Sequence, residues 1–364
     1  MNLGVLDCEV FSISDEAFGI LGWIAMVPSA RKVSFGGCRV SPTVSSEEVC
    51  ELARSMHCKL LAHGLPTGGA KGGLIADPRG ADLLDRAEAF GRAAESLLSS
   101  RVVLGKDMGA SDALMAAIYR GAGVTQLQLV QGSSENCPDR IGDLAGYRRH
   151  MTGLGVSWAS LAARGGDLEQ VRVLIQGCGV VGMGSAVRLS EQGAEVLGMS
   201  DVSGARTWDT GRTAKDFVEV GSGTGITGLD FPGVRELGSA DALLAEPADV
   251  LVLAASSNCV DARLARLIAA PIVVEGANFA LTGDAREVLL ERGVMVVPDL
   301  IASSSSAAFV AHQLASGNTR KPEKVWEEIQ DSIESSVGSA RLRARETNGS
   351  LRQAHLEGTL ESYL

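Results

Sequence analysis

Aromatic residues are scarce in this chain of 364 residues, where phenylalanine, tryptophan and tyrosine together make up 4%. An excess of positive charge is also lacking, because 44 acidic residues outnumber 33 lysines and arginines and leave a formal net charge of -11. Nucleic acids and anionic membranes are usually bound by a basic face, and single strands by stacking aromatic rings. We therefore expect neither a nucleic acid nor a membrane as a partner.

The seven cysteines form no CxxC pair, and the five histidines show no spacing typical of a metal site. We therefore expect no bound metal and no disulfide framework, and the scattered thiols fit a reducing cytoplasm. No apolar run reaches the length that spans a membrane, and the first residues lack the basic start of a secretory signal. These absences predict a cytoplasmic globular protein.

The chain is too long for one typical core and suits two domains. Up to about residue 130, strand-like segments alternate with amphipathic helices at 45–64, 81–98 and 110–121. Beyond Thr152 the pattern changes to short β-branched strands between helix-like stretches, which is typical of a doubly wound parallel sheet. These strands are predicted at 171–177, 195–201, 249–255, 271–277 and 294–299. The predicted fold is α/β, with two domains separated by a cleft.

Gly177, Gly179 and Gly182 form a GxGxxG motif between the first of these strands and a helix. The motif alone is weak evidence, but the next strand ends at Asp201, about 20 residues further on, where a ribose-binding acid is expected. The helix start then offers free N–H groups to a pyrophosphate. The alternative is a purely structural glycine turn. Asp201 favours NAD over NADP because a carboxylate repels a 2′-phosphate, and nearby Arg206 weakens that preference.

The motif makes the second domain a Rossmann-type dinucleotide-binding domain, which we place at residues 146–320. The first domain is placed at 1–145, because the polar and turn-rich stretch 132–151 predicts the crossing between the two. Residues 321–364 contain a charged amphipathic helix, which we expect to return to the first domain.

Lys71 lies in the segment "LPTGGAKGG", residues 65–73. Two glycines precede the pair Ala70-Lys71, and two glycines follow it. The stretch is not a phosphate-binding loop, because that motif requires Ser or Thr directly after the lysine. Glycines let another molecule come close to the backbone. The alternative is that Lys71 is an ordinary loop residue.

The chain resembles the amino-acid dehydrogenases of the Glu/Leu/Phe/Val family over most of its length. The matching stretches occur in the family's order: GGCRV (36–40), MHCKLLAHGLPTGGAKGG (56–73), GKDMG (105–109), TGLGV (152–156), the glycine motif, VVEGAN (273–278) and ERGVMVVPD (291–299). The resemblance implies that the first domain binds substrate, carries the catalytic residues and forms homodimers or higher homo-oligomers.

The resemblance also implies a role for individual residues. Lys71 matches the catalytic lysine, Asp107 an aspartate that shuttles protons, and Lys59 a lysine that binds the substrate α-carboxylate. Gly68 and Gly69 match glycines that lie against the substrate. Thr152 and Asn278 match residues near the nicotinamide. The complete set of candidate NAD-binding residues is Gly177, Gly179, Val180, Val181, Gly182, Asp201, Thr152, Ala254 and Asn278.

Oxidative deamination accounts for these residue types independently. It removes a hydride from Cα and leaves an iminium, to which water adds before ammonia leaves. A desolvated amine near a cation such as Lys59 has a lowered pKa, so Lys71 can act as a base near neutral pH. A carboxylate beside it can pass protons between water, ammonia and the imine.

Two departures from the family pattern concern the substrate. Glutamate-specific members carry a lysine at the place of Phe35 and a serine at the place of Val310, so the pocket residues Phe35, Gly105, Ala307 and Val310 cannot pair with a carboxylate. Burial of an unpaired carboxylate is costly, so we expect an apolar or aromatic amino acid and a closer likeness to the leucine/phenylalanine/valine branch.

The second departure is the run Ser303–Ser306, which replaces Asn-Ala-Gly-Gly. It leaves open an enzyme with a specialised biosynthetic substrate, or a catalytically idle relative that binds a dinucleotide or metabolite. The presence of Lys59, Lys71 and Asp107 together favours the enzyme.

Overall fold

The computed structural model describes residues 6–29, 33–65, 67–124, 150–221, 223–315 and 320–361. The chain forms two compact units. The first holds Met1–Pro138, Ala307–Val325 and Thr359–Leu364, and the second holds Asp139–Ser306 and Trp326–Gly358. The predicted crossing at 132–151 lies outside the described residues except for its last two, and so does the predicted boundary between residues 145 and 146.

The first unit contains a five-stranded sheet in the order β1-β2-β4-β3-β5. Its strands are β1 (Glu9–Asp15), β2 (Gly19–Met26), β3 (Ser34–Val40), β4 (Gly68–Leu74) and β5 (Val102–Lys106). β1 pairs with β2 and β2 with β4 in antiparallel fashion, whereas β4, β3 and β5 run parallel to one another. The sheet is therefore mixed, and its parallel part carries the glycine-rich stretch of Lys71.

Helices cover both faces of this sheet: α1 (Ser46–Ala62), α2 (Leu83–Ala93), α3 (Glu95–Leu98) and α4 (Asp112–Gly121). On one face, Val49 and Ala53 of α1 pack in a cluster with Ala25 of β2. On the other face, Phe90 of α2 and Ile118 of α4 share a core with strand side chains. The helices predicted at 45–64, 81–98 and 110–121 are thus present.

The backbone of α1 lies directly on β4 at Gly69. A Cβ atom at Gly69 would come within 2.2 Å of the His57 nitrogen and 2.3 Å of the Ala53 carbonyl oxygen. No side chain fits in that space, so the glycine is required by the packing of helix on strand.

β5 is an outer strand of the sheet, and Tyr119 of α4 covers part of its free edge. The Tyr119 hydroxyl donates to the Leu104 carbonyl oxygen at 2.8 Å and accepts from the Leu104 N–H at 2.9 Å. One side chain therefore satisfies two backbone groups that a further strand would otherwise pair.

The second unit contains a seven-stranded sheet in the order β12-β11-β10-β6-β7-β8-β9. Its strands are β6 (Arg172–Gln176), β7 (Glu195–Asp201), β8 (Gly204–Trp208), β9 (Val234–Leu237), β10 (Val250–Leu253), β11 (Ile272–Glu275) and β12 (Met295–Val297). The five strands from β12 to β7 are parallel, whereas β8 and β9 add an antiparallel edge. The predicted α/β class and doubly wound sheet are confirmed.

β8 and β9 were not predicted. They have five and four residues, and β9 buries none of its side chains fully. Such short strands give no run of alternating apolar residues long enough to stand out.

The remaining helices include α5 (Met151–Arg164), α6 (Val180–Glu191), α7 (Ala214–Val220), α8 (Ala262–Ala265), α9 (Gly283–Glu291), α10 (Asp299–Ala302), α11 (Ser305–Ala315), α12 (Pro322–Thr347) and α13 (Leu351–Glu361). Two short 3₁₀ segments lie at Ile226–Gly228 and Ala240–Ala245. Among the described residues, no helix is both long and apolar enough to cross a membrane.

The C-terminal segment groups differently from the expectation that all of 321–364 returns to the first domain. Residues 326–358 belong to the second unit. Trp326 of α12 contacts Trp158 of α5, with ring centroids 6.0 Å apart. Arg352 of α13 forms an ion pair with the fully buried Asp299. These aromatic and ionic contacts hold most of the segment in the second unit.

Candidate active site

A row of small residues runs beside Lys71 across the first sheet. Lys71 of β4 is the partner of Gly37 in β3, and Gly37 is the partner of Gly105 in β5. Directly opposed residues of neighbouring strands point to the same face of a sheet. The Lys71 side chain therefore stands over a floor made of backbone alone.

Lys71 reaches Asp107, which follows directly after β5. Its Nζ atom lies 3.0 Å from Asp107 Oδ2, and the two side chains are 3% and 17% exposed. The structure thus brings together the two predicted catalytic residues. The expected cation beside Lys71 was Lys59, but the partner that the structure gives Lys71 is the carboxylate of Asp107.

A second cation, Arg39 of β3, shares the same carboxylate. Its Nε atom donates to Asp107 Oδ2 at 3.0 Å. Burial alone would raise the pKa of Asp107, but the charges and hydrogen bonds of Lys71 and Arg39 outweigh it and hold that pKa well below its ordinary value. Asp107 is therefore a carboxylate at neutral pH.

Arg39 also reaches α1, where its Nη1 atom lies 2.5 Å from Glu48 Oε1. Ser45 caps the same helix by accepting a hydrogen bond from the Glu48 N–H. No role was predicted for Arg39 or Glu48. The sequence did hold a signal, because Arg39 is the one charged residue in the segment FGGCRV.

Lys59 lies in the last turn of α1, and only 4% of it is exposed. Lysines are seldom fully buried unless they are paired, and Lys59 is therefore unlike an ordinary solvated helix lysine. Its predicted contact with a substrate α-carboxylate stays a prediction.

Gly68 and Gly69 have a structural requirement of their own. A Cβ atom at Gly68 would come within 2.2 Å of Ser34 Oγ, and Gly69 is pressed against α1 as described above. Both glycines are thus explained by packing within the unit. Their predicted contact with a substrate remains a prediction.

Phe35 lies on the face of the sheet that carries Lys71, because it stands two residues before Gly37 in β3 and opposite Gly69. Gly105, on the same face, has room for a Cβ, since the nearest heavy atom would be the Gly36 carbonyl oxygen at an ordinary contact distance of 3.7 Å. An apolar side chain and an open glycine therefore flank the Lys71 row. Both were predicted to line the substrate pocket.

The other two predicted pocket residues, Ala307 and Val310, lie on α11 and are half-buried. Residues three apart share one face of a helix, so both can face the same ligand. Their place in a pocket with Phe35 remains a prediction.

The glycine motif has the geometry that a dinucleotide turn requires. Gly177 has a φ of +109°, and a Cβ there would meet the Ala254 carbonyl oxygen at 2.5 Å. A Cβ at Gly182 would lie 1.8 Å from the Gly177 carbonyl oxygen, so α6 packs directly on the turn. Gly179 has no neighbour within 4 Å of its Cβ position and leaves room for a ligand.

α6 begins at Val180, and its N-cap residue Gly179 makes no side-chain hydrogen bond to the helix. The first N–H groups of the helix thus remain available to an anion. Val180 is 59% exposed beside them, and Val181 is half-buried. These residues fit the pyrophosphate of a nicotinamide dinucleotide.

Asp201 ends β7 next to this turn. Its Oδ1 accepts from the Ser203 N–H at 2.8 Å and its Oδ2 from the Ile226 N–H at 2.7 Å. Arg206 is directed elsewhere, because its Nη2 lies 2.7 Å from Glu236 Oε1 and its Nη1 donates to the Thr227 carbonyl oxygen. The carboxylate is therefore held in place, while the nearby arginine is already engaged.

Thr152 is the second residue of α5, and the serine run meets α5 at its first residue. Ser305 Oγ donates to the Met151 carbonyl oxygen at 2.7 Å. Ser303 and Ser304 instead donate to carbonyl oxygens of α10, those of Asp299 and Ile301. The hydroxyl groups of Ser303, Ser304 and Ser305 are thus hydrogen-bonded within the fold.

Asn278 lies in the loop after β11, and Glu275 supports that loop. Glu275 is fully buried, and its Oε1 accepts from the Leu281 N–H at 3.1 Å and from Arg286 Nη2 at 2.8 Å. Burial, and then the negative charge of Asp299, raise the pKa of Glu275. No role was predicted for this acid, although an acid in the apolar run VVEGAN was a visible signal.

Among the described residues, no group of three or more histidine, cysteine or acidic side chains could hold a metal ion. Six cysteines in the described part of the chain are free thiols: Cys8, Cys38, Cys50, Cys58, Cys178 and Cys259.

Two family models match the chain. Residues 7–122 match the family model "Glu/Leu/Phe/Val dehydrogenase, dimerisation domain", and residues 145–361 match the model "Glutamate/Leucine/Phenylalanine/Valine dehydrogenase". The two matches cover most of the chain.

Individual relatives are similar to the chain at moderate identity. An NADP-specific glutamate dehydrogenase of Saccharolobus shibatae is 32% identical over 295 residues, which are 78% of this chain and 68% of the relative. A catabolic NAD-specific glutamate dehydrogenase of Bacillus subtilis is 32% identical over 281 residues, or 74% and 64%. The solved hetero-hexameric glutamate dehydrogenase from Thermus thermophilus, in its Leu-bound form, aligns with a TM-score of 0.74 and 27% identity over 98% of this chain and 87% of that one.

Proposed function

Because the chain belongs to the Glu/Leu/Phe/Val dehydrogenase family, we propose that it oxidatively deaminates an apolar or aromatic L-amino acid with NAD. The products are the 2-oxo acid and ammonia, and the reverse reaction is reductive amination. The observation that carries the proposal is the Lys71–Asp107 contact of 3.0 Å beside the glycine floor of the first sheet. A reacting carbon can approach an amine and a carboxylate together at that floor.

Lys71 and Asp107 divide the proton transfers. The cofactor, when bound, supplies the hydride acceptor. Lys71 takes the proton that the substrate amine or the attacking water releases, and Asp107 relays protons between water and ammonia. Low exposure of both side chains strengthens their electrostatic interaction, because water screens it little.

Lys59 is proposed to bind the substrate α-carboxylate. It is buried, and only 4% of the residue is exposed. A buried carboxylate needs a cation of this kind to replace its hydration. Thr152 and Asn278 are proposed to contact the nicotinamide, and the turn of Gly177, Gly179 and Gly182 with Val180, Val181 and Ala254 to bind the pyrophosphate.

The apolar substrate is proposed on the strength of Phe35, because this side chain shares the face of Lys71 and cannot pair with a carboxylate. The named relatives are glutamate dehydrogenases, and the glutamate alternative is therefore the one to test. Gly105 leaves space next to the floor for a branched or aromatic group. Likeness to the leucine/phenylalanine/valine branch is proposed for this pocket alone.

NAD is proposed over NADP because Asp201 ends β7 beside the glycine turn and Arg206 is paired with Glu236. A 2′-phosphate would meet a negative charge there without a free arginine to offset it. One relative is named NADP-specific and another NAD-specific, so the proposal of NAD rests on this strand end and not on the family. Asp201→Ser should relax the preference.

The protein is proposed to self-associate through its first domain, since that part matches a family model described as a dimerisation domain. A cytoplasmic location is proposed from the free thiols, which persist in a reducing compartment.

One assay tests the reaction and its substrate. Purified protein is mixed with NADH, ammonia and a panel of 2-oxo acids, and the absorbance of NADH is followed. Branched or aromatic oxo acids should exceed 2-oxoglutarate by about a hundredfold in kcat/KM, on the order of 3 kcal/mol. A preference for 2-oxoglutarate over every apolar oxo acid would overturn the pocket, and binding of NADH with no turnover of any oxo acid would favour an idle relative.

Lys71 is tested in the same assay. Lys71→Ala should abolish turnover while NADH binding, measured by fluorescence, persists. Lys106→Ala is the matched control, because Lys106 is exposed, lies next to Asp107 and pairs with Asp112 at 2.8 Å. Near-normal turnover in Lys71→Ala would remove this lysine from the mechanism.

A further inference from the structure

Arg39 is a buried arginine that the proposed reaction does not yet use. Only 4% of it is exposed, although it lies in a strand and carries a permanent charge. It binds carboxylates from two different elements, Asp107 after β5 and Glu48 in α1. An arginine held at this depth needs both partners to replace its hydration.

Arg39 and Lys71 both contact the same oxygen of Asp107. Arg39 Nε and Lys71 Nζ each lie 3.0 Å from Oδ2. Within the described part of the chain, no hydrogen-bond donor reaches Oδ1. The two oxygens of this carboxylate are therefore not equivalent.

We propose that Arg39 is a positioning residue, which fixes Oδ2 between two cations and turns Oδ1 toward the groups that exchange protons. The inference rests on the proposed function, because that function gives Asp107 its part in proton transfer. Water adding to the iminium carbon forms the C–O bond and releases a proton to Oδ1. This proton passes to nitrogen, and the hydroxyl group then gives its own proton to neutral Lys71 as the C=O bond forms and the C–N bond breaks. Iminium and water thus become the oxo acid and ammonia, with one proton left on Lys71.

Arg39 and Lys71 differ in whether they exchange a proton, and this difference explains the proposed role of Arg39. Lys71 loses and regains a proton in each cycle, whereas the guanidinium of Arg39 stays charged. Asp107 therefore keeps one positive neighbour even while Lys71 is neutral. Without Arg39 its pKa would rise in that state, and the proton taken from water would be passed on less readily.

Other groups around Asp107 leave this division of roles intact. Besides Lys71 and Arg39, they are Cys38 of β3, Glu48 of α1 through its ion pair with Arg39, and the exposed pair of Lys106 and Asp112, while Tyr119 of α4 lies near Cys38. Burial, and then the charge of Asp107, raise the pKa of the Cys38 thiol to about 12, so it stays neutral. Burial raises the pKa of Tyr119 to about 12 as well.

A titration that needs no turnover tests the electrostatic part. Aspartate is labelled with ¹³C at the side-chain carboxyl in the full chain, and the Asp107 resonance is the one missing from Asp107→Asn. In the wild type it should show no titration above pH 4. In Arg39→Met the midpoint should rise by about one pH unit or more, because one adjacent cation lowers an aspartate pKa by about 1 to 3 units.

Kinetics test the positioning. With the 2-oxo acid that the wild type reduces fastest, Arg39→Met should lower kcat about tenfold or more and move the acid limb of its pH profile to higher pH. Arg39→Lys keeps the charge but not the fork that reaches both carboxylates. The kcat of Arg39→Lys should therefore fall, while the acid limb of its pH profile stays at the wild-type pH. This result stands even if Arg39→Met does not fold.

Arg101→Met is the matched control, since Arg101 forms an exposed ion pair with Glu9 at 2.7 Å in the same unit. Its Asp107 titration and pH profile should equal those of the wild type. The inference is overturned if Arg39→Met leaves both unchanged, or if Arg39→Lys keeps wild-type kcat and KM. Failure of the proposed function would look different: no oxo acid would be turned over by the wild type, yet the Asp107 titration would still shift.

Discussion

Single side chains carry the proposed chemistry on the Lys71 face of the first sheet, and the proposed apolar substrate depends on Phe35. It lies two residues from Gly37 on the same face, and 7% of it is exposed. Each methylene of a substrate that packs against such a ring contributes about 0.8 kcal/mol. A carboxylate in the same position would lose its hydration without an ion pair.

Phe35→Lys should therefore raise activity toward 2-oxoglutarate. We expect the ratio of kcat/KM for 2-oxoglutarate to that for 4-methyl-2-oxopentanoate to increase at least about tenfold, or roughly 1.4 kcal/mol. Val310 cannot add a hydrogen bond, so the change should stop short of full glutamate specificity. Phe35→Leu, which stays apolar, should leave the ratio within about twofold. An unchanged ratio in Phe35→Lys would place Phe35 outside the pocket.

The motif residues Lys71 and Asp107 could be paired from the sequence, but the charges that surround them could not. Arg39 and Lys71 are far apart along the chain and meet only because β3 and β4 pair in a particular register. Glu48 joins them because α1 lies on that face of the sheet. Strand register and the seating of a helix depend on contacts across the whole domain, and a single sequence does not fix them.

Helix α5 shows how close two elements can come when glycine is placed between them. A Cβ atom at Gly155 would lie 2.5 Å from Ser305 Oγ and 2.6 Å from the Ala302 carbonyl oxygen. Ser305 in turn donates its hydroxyl to Met151 at the start of the same helix. The serine run and Gly155 thus form one junction between α5, α10 and α11.

Gly155→Ala should therefore destabilise the protein, although alanine is the better helix former. We expect a loss of at least about 2 kcal/mol in the free energy of unfolding, because backbone must move to admit the methyl group. Gly338→Ala, in α12, is the control, since it is exposed and nothing lies within 4 Å of its Cβ position. That variant should gain about 0.5 to 1 kcal/mol.

Urea unfolding of both variants and the wild type provides the measurement. Equal effects of the two substitutions would mean that α5 does not pack as described. The five parallel strands of the second sheet were predicted because each is a compact apolar run, and this junction was not, because it depends on atoms more than a hundred residues apart.

The free energy of unfolding of the whole molecule depends on pH through the buried residue His355. His355 of α13 is 6% exposed. Burial, and then repulsion by Arg352, lower its pKa to about 4, while Asp299 opposes the shift. An unfolded histidine has a pKa of about 6.5. Between these values the unfolded chain binds a proton that the folded chain does not, so stability falls as pH drops from about 6.5 to about 4.

His355→Gln should remove this dependence. Its free energy of unfolding, relative to the wild type, should become more favourable by up to about 3 kcal/mol between pH 7 and pH 4, with no such gain above pH 7. His63→Gln, at the half-buried end of α1, serves as the control. Parallel pH profiles for wild type and His355→Gln would show that the folded protein admits the proton at His355.

The outer edge of β5 affects how readily copies of the chain aggregate. An uncovered strand edge is a template onto which another chain can add a strand and begin an aggregate. The Tyr119 hydroxyl engages the Leu104 N–H and carbonyl oxygen with one side chain, so a foreign strand would have to displace it before pairing there. Tyr119→Phe keeps the ring and frees both groups. Light scattering during mild heating should therefore detect earlier aggregation in this variant than in the wild type, at equal protein concentration.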